Sequence, residues 1–161
     1  AVTLADVREA TVEAAADAEQ VCDHLERLAD RLRPTMPVAP EVLAGWGDDP
    51  RERMHALLRM FEQLFDMVSH KLFRGFLVLS SETIAGLSAR NQFRRVEALG
   101  GMTSADRWIE IGATRNVLVH DYPVNAAAQS ERANLAWHDL PALLAETRTI
   151  IAKLRSESMI P

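Results

Sequence analysis

The chain has 161 residues, of which 48% are hydrophobic and 25% charged, which suits one folded domain and excludes a disordered or fibrous protein. Lys plus Arg is 18 and Asp plus Glu is 23, so the net charge is −5 and gives no overall basic footprint for nucleic acid. A single cysteine, Cys22, rules out a disulfide framework and a cysteine-based zinc site. No stretch approaches 18 apolar residues and the N-terminus is acidic rather than signal-like, so the expectation is a cytoplasmic protein without a membrane span.

Aromatic residues are only 6% and alanine is abundant, which favours helices over strands. The first helix is marked by Leu4, Val7, Thr11, Ala14, Ala18, Val21, Leu25, Leu28 and Leu32, repeating in steps of three and four. Its small residues Thr11, Ala14 and Ala18 invite a close helix–helix contact. Pro34, Pro37, Pro40, Gly45 and Gly47 then define a loop over 34–48. That is long beside the usual about 2–8 residues between bundle helices. Val42, Leu43 and Trp46 are expected to tuck it down, with a short helical turn.

Asp49-Pro50-Arg51-Glu52 predicts a helix start, with Asp49 as cap and Pro50 in the first turn. One apolar stripe continues from Met54 to Leu72. From Phe73 to Leu79 the helix is apolar nearly all round, so it either crosses the bundle or meets a second subunit. Gly86 ends or softens this element. A short helix is predicted over Asn91–Leu99, stopped by Gly100-Gly101. Thr103 is the expected cap of the next helix, which Pro123 ends. Asn125 is the expected cap of a helix through Trp137. Asp139-Leu140-Pro141 is then read as a restart before the last amphipathic stripe, Leu140 to Leu154. With no strand-like alternation and no repeat, the prediction is an all-α, antiparallel bundle of about five helices in a single domain, 1–161.

Charge is uneven within that average. Residues 1–33 hold eight acids against four arginines, and residues 50–99 hold eight bases against five acids, so a locally positive face is possible. Arg90, Arg94 and Arg95 read as a solvated face that could also hold RNA backbone. His24, His55 and His70 show no metal-ligand spacing with nearby acids.

The helix after Thr103 breaks its own pattern. At about 100° per residue, with Arg115 at zero, Trp108, Val119, Gly112, Ile111 and Leu118 all fall within about 60° of it. An arginine thus occupies the expected apolar face. A buried unpaired charge costs several kcal/mol, so either a carboxylate (Glu62, Asp66 or Glu82) or a polar cleft must compensate. Asn116 and His120 lie together on the flank of that face, and Tyr122 would return to the stripe of Arg115. Four polar side chains therefore converge near one helix terminus.

Arg115-Asn116-Val117-Leu118-Val119-His120-Asp121-Tyr122 resembles the R-x4-H-x-Y motif of HEPN domains, specifically the HepT-type toxins of HEPN–MNT toxin–antitoxin pairs. The likeness spans about residues 50–157 and includes Trp137 with Asp139-Leu140-Pro141 before a Leu-rich helix. Asp121 stands where the family frequently has glycine. The resemblance implies a HEPN-like bundle and a metal-independent endoribonuclease without a cofactor. Arg115, His120 and Asn116 would be its catalytic residues, at a cleft formed by a homodimer. The implied partners are RNA and an MNT-type nucleotidyltransferase antitoxin that AMPylates Tyr122. The alternative is a catalytically silent HEPN subunit that binds nucleotides or serves as a scaffold beside a nucleotidyltransferase.

Overall fold

Helix α1 covers Leu4–Leu32, opened by a reciprocal capping box in which Thr3 and Asp6 exchange side-chain and backbone bonds of 2.9 and 3.1 Å. In the computed structural model, which describes residues 1–120 and 123–161, α1 buries Thr11, Ala14, Ala15, Ala18, Cys22, Leu25, Leu28, Ala29 and Leu32. The predicted seam is present from Thr11 onward. Cys22 rather than Val21 is its buried member, and Leu4 stands 65% exposed.

The 34–48 loop contains a short 3-10 turn, Arg33–Thr35, and a one-turn helix α2, Pro40–Ala44. It is pinned at both ends. The Val38 amide donates to Asn134 (2.8 Å), and the Val38 carbonyl accepts from Ser130 (2.6 Å) and Asn134 (2.9 Å). Arg51 donates to the carbonyls of Leu43 (2.9 Å) and Trp46 (3.1 Å), filling orphan acceptors at the end of α2.

Helix α3 spans Asp48–Met67 and continues through a π-helical turn, Val68–Leu72, into α4, Phe73–Leu79. Its cap is Gly47 rather than Asp49. Asp48 and Asp49 both lie inside the first turn, where their charges complement the helix dipole without capping bonds. Phe73, Gly75, Phe76 and Leu77 are buried because α4 passes between α1 and α5, the crossing alternative. A Cβ on Gly75 would lie 2.2 Å from Thr11 Oγ1, so glycine is what allows this close approach.

Helix α5, Ala89–Ala98, is capped by Ser88 and ended by Gly100 at φ +84°, a left-handed conformation that suits glycine. Helix α6 covers Ala105–Val119 with Ser104, not Thr103, as cap. Two distant carboxylates complete that end: Glu146 accepts from the amides of Thr103 (2.8 Å) and Ser104 (3.0 Å), and Glu97 accepts from Ala105. These fill orphan donors at the positive end of α6.

Helix α7, Ala126–Ser156, begins at Asn125 as predicted but does not restart at Pro141. Proline inside a helix usually costs about 3 kcal/mol through a lost bond and a clash. Here Pro141 is exposed, while buried Asp139, Leu140 and Leu143 fasten the helix on either side of it. Trp108, fully buried, stacks on Phe65 at 4.9 Å, meets Phe73 edge-on at 5.1 Å, and donates its indole N–H to Ser69 in the π turn (3.0 Å). The described residues form an all-helical bundle, and none of its helices is long and apolar enough to cross a membrane.

Candidate functional site

The C-terminal half of α6 presents the motif. Its buried residues are Ala105, Trp108, Ile111, Thr114 and Leu118, so its core face is centred to one side of Arg115. Val119, counted with the apolar face from the sequence, is 46% exposed. Arg115 is therefore not in the middle of the buried face. It lies on the rim, half-buried, because the core needs only one stripe of this helix.

Of the three carboxylates open as partners, Asp66 is the one. Arg115 Nε donates to Asp66 Oδ1 at 2.9 Å and Nη2 to Oδ2 at 2.8 Å, a bidentate pair that fixes the guanidinium plane. These hydrogen bonds hold Arg115 more firmly protonated than usual, against partial burial, and the charges of Asp66 and Glu62 add to the effect. Its remaining nitrogen, Nη1, reaches Asn116 Oδ1 at 3.4 Å. Glu62, itself buried, pairs with Arg59 at 3.4 Å, and Glu82 pairs with Arg95 at 2.7 Å.

Asn116 and His120 are both exposed, His120 as the residue where the chain leaves α6 in an extended conformation. Arg115 and Asn116 are brought together. No hydrogen bond among the described residues joins the His120 imidazole to either. Tyr122, with Asp121, lies outside the described residues. Arg132 of α7 donates to the Leu118 carbonyl and so satisfies an acceptor at the α6 terminus. Val117 and Val119 stand 44% and 46% exposed beside the motif, and Val124 just beyond it 93%.

The α5 arginines are partly neutralised. Arg94 pairs with Asp106 at 3.7 Å and Arg95 with Glu82, which weakens their reading as an RNA-backbone surface. Among the described residues no three His, Cys, Asp or Glu side chains converge as metal ligands do.

Sequence reasoning missed the polar group on the other side of α6. Asp139, 4% exposed, accepts from the Thr114 hydroxyl and pairs with Arg107 at 2.8 Å. Burial works most strongly against the charge on Arg107, and the hydrogen bonds and charges of Asp139 and Glu110 together outweigh it and hold Arg107 protonated. The available signal was a polar Thr at a core position of α6, matched by an acid in the apolar stripe of α7.

No family model matches the chain, and neither does a curated protein or a solved structure.

Proposed function

We propose that this chain is a HepT-like endoribonuclease toxin, acting through Arg115, Asn116 and His120 and held in check by a nucleotidyltransferase antitoxin that AMPylates Tyr122. The observation that carries the reading is the bidentate Arg115–Asp66 pair. It presents a guanidinium in a fixed plane at the protein rim, five residues before an exposed histidine at the helix end.

Cleavage of RNA through its own 2′-hydroxyl needs a proton acceptor, a proton donor and a cation for the charge building on phosphorus. Histidine suits proton transfer near neutral pH. Arginine cannot lose its proton, so Arg115, its Nε–Nη2 edge held by Asp66, orients the scissile phosphate and stabilises the transition state through its remaining N–H groups. Asn116, at 3.4 Å from Arg115 Nη1, steadies the edge of the guanidinium that Asp66 leaves open. The exposed Val117, Val119 and Val124 fit a site covered by a second copy of the chain, as the homodimer reading expects. An AMP group on Tyr122, two residues after His120 in the chain, would add negative charge that repels RNA.

The net charge of −5 favours a second reading, a catalytically silent subunit that partners a nucleotidyltransferase. Expression of the chain alone separates the two. The toxin reading expects growth arrest that Arg115→Ala and His120→Ala abolish. Normal growth with the unaltered chain at full expression would sink it. Mass spectrometry of Tyr122 after co-expression with a nucleotidyltransferase tests the modification.

A further inference from the structure

Helix α3 carries a polar stripe of its own toward the motif, His55, Arg59, Glu62 and Asp66, at steps of four, three and four. Contacts show that α3 and α6 run antiparallel. Trp108 meets Ser69, Arg115 meets Asp66, and Leu118 shares an open groove of about 250 Å³ with Leu58 and His55. Moving forward along α6, the contacts move back along α3. His120, two residues past Leu118, therefore leaves α6 toward the end of α3 that carries His55, and both imidazoles are exposed.

We propose that His55 is the second proton-transfer group of the cleavage reaction, working with His120 across the end of α6. This inference rests on the ribonuclease reading. One imidazole takes the 2′-hydroxyl proton as the O2′–P bond forms. The other, protonated, gives its proton to the 5′-oxygen as the P–O5′ bond breaks. The products are a 2′,3′-cyclic phosphate and a 5′-hydroxyl, and exchange with water restores both histidines. The motif supplies one histidine per chain, whereas the reaction uses two proton transfers at opposite oxygens. His24, His70 and His138 line no part of the groove beside Leu118; His55 does. Among the described residues that line these grooves with His55, the charged groups are Arg51, Arg59 and Glu62 of α3 and Arg132 of α7, and α2 contributes Leu43. Arg59 and Arg132 give the groove cations for the phosphate next to the scissile one.

The test is the pH profile of kcat/KM on a defined RNA oligonucleotide for the unaltered chain, His55→Gln and His120→Ala. The unaltered chain should give a bell. His55→Gln should lower kcat/KM by at least about a hundredfold and remove one limb, while His120→Ala removes the other. A melting curve of His55→Gln separates any loss of folding from loss of the proton-transfer group. If His55→Gln keeps both limbs, whatever its rate, His55 transfers no proton, and the second group is instead the partner copy's own motif histidine. That result leaves the ribonuclease reading standing. An unaltered chain that cleaves no RNA overturns both.

Discussion

Both carboxylate oxygens of Asp66 accept hydrogen bonds from Arg115, at 2.9 and 2.8 Å, across 49 residues of sequence. The pair is partly open to solvent, with side chains 28% and 36% exposed, so its value lies in orientation more than in stability.

Asp66→Ala separates those two contributions. Stability to urea should fall by no more than about 1 kcal/mol, the range of exposed ion pairs. Cleavage should fall by about a hundredfold, because a freed guanidinium no longer holds the phosphate in line. Equal losses in Asp66→Ala and Asp66→Asn with unchanged KM would fit this positioning role.

The buried counterpart behaves oppositely. Asp139→Ala removes the acceptor of the Thr114 hydroxyl and leaves Arg107 only Glu110, in the interface of α6 with α7. The expected cost is about 3 kcal/mol, read from chemical denaturation. A change below about 0.5 kcal/mol would show that water replaces the carboxylate freely.

How much of this was legible differs element by element. The seam of α1 was readable because its apolar period meets one set of neighbours. The core face of α6 was misjudged because Val119 weighs as apolar on a wheel yet stands exposed, while the buried face runs through Ala105, Trp108, Ile111, Thr114 and Leu118. The break expected at Pro141 did not occur, since local propensity yields to the tertiary contacts of Asp139 and Leu143. Glu146 and Glu97 complete the start of α6 from other helices, and nothing in the local sequence near Thr103 announces them. That Arg115 needs a carboxylate partner or a polar cleft was readable from the chain alone, but the choice of Asp66 over Glu62 and Glu82 needed the packing.

Close packing of α1 on α4 gives a third test. Gly75→Ala places a Cβ 2.2 Å from Thr11 Oγ1, so about 1–3 kcal/mol of stability should be lost. Thr11→Ala in the same chain removes the obstructing hydroxyl and methyl and should recover most of that loss. If the double variant is no more stable than Gly75→Ala, the contact is not the cause.

Burial pushes the Cys22 thiol up from 9.0 to about 11, with nearby Glu26, Asp23 and Glu19 adding to the shift and Arg148 opposing it. Folded protein at pH 8 should therefore carry about 100-fold less thiolate than unfolded chain and react correspondingly slowly with a disulfide reagent. The folded state also keeps this proton to higher pH than the unfolded state does. Stability should decline as pH rises from about 9 toward about 11, and Cys22→Ala should flatten that decline. Rapid labelling of the native protein would contradict this.

The most direct test of the central claim is cleavage of a single-stranded RNA by the purified chain, in the presence of a chelator, with product ends identified. The expected result is a 2′,3′-cyclic phosphate and a 5′-hydroxyl from the unaltered chain, and loss of that cleavage in Arg115→Ala and His120→Ala. Undiminished cleavage by both variants, or none by the unaltered chain, would contradict the account.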